Sequence, residues 1–128
     1  MRLLEIKLEY KMPNFNYEWD EAQRYPKLAH LGKGVWLSLA KHGRKIRLSA
    51  LGDVSNMDPY LGGLDPDKVA RAKQAYSQRT IELPIVIRTN GKNDLLGGNT
   101  RIAYLLSQDV DPIVWFVNVD NLLNNFDK

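Results

Sequence analysis

Cysteine is absent from all 128 residues, and with it go disulfides, zinc–thiolate sites and thiol catalysis. No apolar run approaches the roughly 18–20 residues of a membrane-spanning helix, and the opening Met1-Arg2-Leu3-Leu4-Glu5 brings in charge too early for a signal peptide. The expectation is a cytoplasmic protein with no membrane partner. Histidine is scarce: His30 and His42 have no acidic companion at metal-ligand spacing, so no metal site of the protein's own is expected. A Gly-x-x-x-x-Gly-Lys-Ser/Thr loop is missing, which excludes P-loop chemistry. Repeats, low-complexity segments and linkers are missing too, which leaves one domain over residues 1–128.

What is present suits a globular chain, with 44% hydrophobic and 26% charged residues and length enough to bury a core unaided. The net charge of +3 is unevenly spread: residues 1–50 hold ten Lys/Arg against five Asp/Glu, and the remainder eight against ten. The densest basic run is Lys41-His42-Gly43-Arg44-Lys45-Ile46-Arg47. Lys41, Arg44, Lys45 and Arg47 are candidates for sequence-independent contact with a nucleic-acid backbone, or form a solvated loop that keeps a strand edge from pairing.

Residues 2–11 alternate Leu4, Ile6, Leu8 and Tyr10 with charged neighbours, which predicts a half-buried strand. A short helix is expected over 17–25, ended by Pro26. Leu28, Leu31, Val35 and Leu39 recur at helical spacing towards His42, with Gly43 as the stop; Gly32 and Gly34 weaken the middle, so one helix or two are allowed. Trp36, Leu37 and Leu39 read as core. Strand-like alternation covers 46–50, and a loop rich in Asp, Asn, Pro and Gly spans 53–63. In that loop, Asp53 and Asp58 either cap turns or touch a metal carried by a nucleotide.

Asp65-Pro66-Asp67 is the clearest helix start: an N-cap carboxylate, proline at the first helical position and an acid complementing the dipole. The helix runs to about Gln78, with Val69, Ala72 and Tyr76 facing inward. Residues 81–88 alternate apolar and polar around Pro84, which suggests an edge strand or a strand's start. Asn90-Gly91 predicts a hairpin joining it to 94–96. The apolar run 113–119 reads as a central strand covered on both faces, and Asp120 as the cap of a last helix carrying Leu122, Leu123 and Phe126.

The chain's most suggestive stretch follows the hairpin. Leu95 and Leu96 run into Gly97-Gly98-Asn99-Thr100-Arg101 and then an amphipathic helix ending near Ser107. A strand, a tight turn and a helix N-terminus leave backbone N–H groups unpaired where the dipole favours an anion, phosphate above all. A bare turn capped by Asn or Thr explains the same residues.

Together these motifs resemble the superfamily of sulfiredoxin and the ParB N-terminal domain over roughly residues 61–120, with 1–60 forming a divergent, basic N-terminal half. The likeness consists of Leu-Asp-Pro-x-Lys-Val (64–69), Pro84-Ile85 opening a strand, and Gly-Gly-x-x-Arg at a helix start. The resemblance implies an α+β domain with a mixed sheet flanked by helices. It also implies a nucleoside triphosphate, ATP or CTP, accompanied by Mg²⁺. Carried over by position, Gly97, Gly98 and the amides of Asn99 and Thr100 approach the phosphates, Arg101 is the charged contact, and Lys68 stands where a sulfiredoxin lysine reaches the nucleotide. Arg71 replaces a small hydroxyl residue, and arginine also recruits phosphate. Asn99 stands in place of the sulfiredoxin cysteine and Thr100 in place of its histidine, so repair of oxidised peroxiredoxin is excluded. ParB's further phosphate motif and its helix-turn-helix have no visible counterpart.

Three functions follow as expectations. The first is a nucleotide-binding phosphotransferase or ATPase in nucleic-acid metabolism, for which Asp53, Asp65 and Asp94 lie near the motifs but none qualifies as a base. The second is a nucleic-acid-binding module using the basic run. The third is a non-catalytic protein-interaction module, phage-encoded by its likeness to small phage proteins.

Overall fold

The computed structural model describes residues 7–126 and shows a mixed α+β architecture. A four-stranded sheet takes the order β2 (Arg44–Arg47), β6 (Ile113–Asn118), β4 (Ile85–Thr89), β5 (Lys92–Gly97). β2 and β6 are antiparallel, β6 and β4 parallel, β4 and β5 antiparallel. A separate parallel pair joins β1 (Glu9–Lys11) to β3 (Thr80–Glu82). No helix among the described residues is long and apolar enough to cross a membrane.

The apolar pattern of 113–119 places β6 inside the sheet. Trp115 and Val117 face one core cluster, with Ile85, Ile87, Trp36 and Leu39. Val114 and Phe116 face the other, with Val86, Leu95 and Ile102. α1 (Trp19–Ala22), α2 (Pro26–Leu31) and α3 (Lys33–Ala40) feed Ala22, Leu28 and Trp36 into the first cluster, and α5 (Asn99–Ser107) feeds Ile102 into the second. α2 and α3 are two pieces because Gly32 adopts φ +91° between them, a conformation glycine enters without steric cost. Gly43 ends this segment where the Trp115 indole crosses, its Nε1–H donating to the Ala40 carbonyl at 2.8 Å.

α4 (Pro66–Ser77) starts as its sequence predicts, the Asp65 carboxylate accepting the Asp67 N–H at 2.9 Å. It packs on α5 through an edge-to-face pair, Tyr76 and Tyr104, 5.6 Å between centroids. The hairpin also forms, Asn90 and Gly91 having φ of 52° and 77°, as a tight two-residue turn requires.

Several local expectations are corrected. The first strand covers Glu9–Lys11, leaving Lys7 and Leu8 outside it; the part of that expectation at 1–6 lies outside the described residues. The helix expected over 17–25 is regular only at Trp19–Ala22, with turns on either side. Of the two readings of Pro84, the strand's start holds and the edge does not: it divides 81–88 into β3 and β4, which belong to different sheets, and β4 begins at Ile85 in an interior position. The alternation at 46–50 gives way after Arg47 to a 3-10 turn, Leu48–Leu51. Asp120 lies inside α6 (Val119–Phe126) and braces the hairpin instead of capping the helix. Its carboxylate accepts the N–H groups of Asn90 (2.8 Å) and Gly91 (2.9 Å) and pairs with Lys27 at 3.3 Å.

Candidate functional site

β5 ends at Gly97, and Gly98 turns the chain into α5 with φ +99°, left-handed backbone that disfavours other residues. The helix opens with Ile102 N–H donating to the Gly98 carbonyl at 3.0 Å, and its N-cap, Gly98, has no side chain to cap the first amides. They remain a source of positive potential. The turn is packed from behind: a Cβ on Gly98 would come within 2.6 Å of the Pro84 Cβ and 2.8 Å of its Cα. The proline that splits β3 from β4 therefore sits directly against the turn.

That packing brings Glu82, two residues before Pro84, to Arg101. The Arg101 Nη1–H donates to Glu82 Oε2 at 2.8 Å, while the buried Nε has no hydrogen-bond partner among the described residues. Arg101 is thus committed to a carboxylate and still carries an unused donor.

A cavity of about 980 Å³ opens in front of the turn. One wall is the Tyr17–Tyr25 region with Glu18, Glu21 and Arg24. Another is the face of α4 carrying Lys68, Arg71, Ala72 and Ala75, and the floor is formed by Leu95 to Arg101. Every residue that the sequence nominated for phosphate contact, Gly97, Gly98, Asn99, Thr100, Arg101, Lys68 and Arg71, lines this one space. Its charged lining is four cations, Arg24, Lys68, Arg71 and Arg101, against three carboxylates, Glu18, Glu21 and Glu82. Arg24 pairs with Glu21 at 3.4 Å and Arg101 with Glu82. Lys68 and Arg71, both exposed, make no ion pair among the described residues. These two carry the uncompensated positive charge.

The Asn99 side chain does not cap the turn. The amide clamps the 53–63 loop, accepting the Asp58 N–H at 2.7 Å and donating to the Asp58 carbonyl at 3.0 Å. Only its backbone is available to a ligand. Asp58 itself accepts the Tyr60 N–H at 3.0 Å, a turn-capping role, and Asp65 is the α4 cap. Asp53, Asp65 and Asp94 do not line the cavity, and no cluster of three or more metal-ligating side chains exists among the described residues.

Glu18 escaped the sequence reading. It is 7% exposed although ionisable, and its carboxylate lies across Gly97: a Cβ there would stand 2.6 Å from Oε2 and 3.0 Å from Oε1. No donor among the described residues hydrogen-bonds to it. Burial pushes its carboxyl up; Arg101 opposes that shift, and Glu82 and Glu21 add to it. Nothing local in the sequence marks Glu18, because its neighbour Gly97 is far along the chain.

The basic run lies elsewhere, with Lys41 after α3 and Arg44, Lys45 and Arg47 exposed on the edge strand β2. Strand alternation divides these cations between two faces. Arg44 stacks over the Phe116 ring at 5.9 Å, and Arg47 lies 3.9 Å from Asp111. His30 and His42 are exposed and outside the cavity. Comparison with protein-family models, with curated proteins and with solved structures finds no match to this chain.

Proposed function

We propose that this protein binds a nucleotide, or a ligand with the same phosphate chemistry, in the cavity between α4 and the β5–α5 turn, as a divergent relative of the ParB/sulfiredoxin superfamily. One observation carries this: two segments far apart in the sequence, Lys68 with Arg71 and residues 97–101, line the same space. Its volume of about 980 Å³ is at the upper end of small-molecule sites, roughly 300–1,000 Å³, which leaves room for a base and sugar beside the phosphates. Lys68 and Arg71 supply point and forked charge, and the uncapped α5 amides supply directional donors. Mg²⁺ enters with the nucleotide, coordinated largely by its phosphates. Phosphotransferase or ATPase activity is the catalytic form of this proposal; release of inorganic phosphate separates it from binding alone.

A thermal-shift panel of ATP and CTP, with and without Mg²⁺, tests the proposal. Saturating nucleotide at about a hundred times its dissociation constant stabilises the fold by about 2.7 kcal/mol, and Lys68→Ala with Arg71→Ala removes the shift. A panel in which no nucleotide moves the melting temperature rejects it. The alternative, a non-catalytic DNA-binding or protein-interaction module, draws on the exposed cations of β2. It requires DNA binding that weakens steeply with salt and is unaffected by Lys68→Ala.

A further inference from the structure

The open face of Gly97 is filled by the protein itself. Glu18 lays both carboxylate oxygens across it, within 3.0 Å of where a side chain would begin, one residue before Gly98, the N-cap of α5. Glu18 is 7% exposed as a residue, lines the cavity, and its carboxylate takes no hydrogen bond from the described residues. A buried carboxylate without donors is expensive to keep ionised. The guanidinium that favours its charged form, Arg101, is already engaged by Glu82 at 2.8 Å, so two carboxylates share this cation.

Granted that the cavity is an anion site, we propose that Glu18 is a tethered anion occupying the turn, and that a phosphate-type ligand binds when this carboxylate takes up a proton from solvent or swings out of the turn. Glu18 then sets the charge state the groove accepts. A bare dianion meets Glu18 and Glu82 at the turn, whereas protonation of Glu18, or its departure, leaves Arg101, Lys68, Arg71 and the helix amides to act on the ligand. The charged groups facing Glu18 are Arg101 from α5, Glu82 from β3 and Glu21 from α1. From α4, Lys68 and Arg71 line the same space. Departure is mechanically simple, because Glu18 precedes a helix of four residues with no side-chain cap.

Sulfate is the suitable probe, since it stays doubly charged from mildly acidic to mildly alkaline pH, whereas phosphate changes its own charge there. Isothermal titration of the intact chain should show sulfate binding tightening about tenfold from pH 8 to pH 5, the effect of shifting one coupled group by about one unit. Glu18→Gln should bind about tenfold more tightly than the wild type at pH 8, and should lose the part of the pH dependence that Glu18 supplies. Any contribution from His30 and His42 persists in the variant, so the difference isolates Glu18. Far-UV circular dichroism of Glu18→Gln, and of Glu18→Ala as a second variant, verifies the fold. Wild-type binding that ignores pH, or variants that bind no better at pH 8, overturns this role for Glu18 while the anion site stands. Absence of sulfate binding by every form at every pH overturns both.

Discussion

Placing a methyl group on Gly97 tests the packing at the turn. Gly97 has an ordinary strand backbone, so alanine is conformationally permitted there. Its Cβ would nevertheless stand 2.6 Å from Glu18 Oε2 and 3.0 Å from Cδ and Oε1, too close for real contacts. The obstacle is the end of a flexible side chain, so the carboxylate gives way. Overpacking costs about 1–3 kcal/mol, and exchanging glycine for alanine within a strand returns about 0.5–1 kcal/mol. The net expectation for Gly97→Ala is a loss of about 0.5–2 kcal/mol in urea unfolding. In a Glu18→Ala background the obstacle is gone, and the same substitution becomes neutral or stabilising. The double-mutant cycle should therefore yield a coupling of about 1–2 kcal/mol. Effects that add within about 0.5 kcal/mol would refute the contact. Gly98→Ala provides the contrast: φ is +99° and the atoms in the way include the Pro84 backbone, so strain and overpacking combine to about 2–4 kcal/mol and Glu18→Ala does not relieve it.

Other consequences follow from single contacts. Glu18, whose carboxyl burial raises, contributes stability that is complete below its unfolded value and lost as pH rises through the folded one. Glu18→Gln should therefore melt above the wild type at pH 7, with the gap closing towards pH 4. Asp120 has the opposite sign. Desolvation alone would raise it, but the N–H groups of Gly91 and Asn90 and the Lys27 ammonium hold it low. Its contribution is present above the unfolded value and disappears as pH falls through the folded one. Asp120→Ala should cost about 1–3 kcal/mol at pH 7, and much less at pH 3. Asn99→Ala removes both bonds to Asp58; limited proteolysis should then cut the 53–63 loop faster, with a global loss of about 1–2 kcal/mol.

The features legible in the sequence depend on near neighbours. Asp65, Pro66 and Asp67 specify the start of α4 among themselves, and Asn90-Gly91 specifies a tight turn from two backbones that accept positive φ. The unbroken apolar run of β6 likewise declares burial on both faces. What escaped depends on distant partners. Pro84 marks the start of a strand in the sequence, but that it divides two sheets and presses on Gly98 is set by distant partners. The Asn99 side chain looked free to cap its own turn, and Asp58 claims it across the fold. Glu18 sat unremarked in a short helix, because a carboxylate's burial is a property of what folds over it. The gathering of Lys68, Arg71 and residues 97–101 around one cavity was anticipated by the resemblance, while the acidic wall facing them was not.

The most direct measurement for the proposed site is residue-resolved. Titrating ¹⁵N-labelled protein with ATP or CTP in the presence of Mg²⁺ and following backbone amides locates the ligand without assuming any residue's role. Binding in the cavity shifts the amides of 97–101 and 68–75 together, along one saturation curve. Amides that stay in place at every nucleotide concentration, or that move only within the 41–47 basic run, would contradict it.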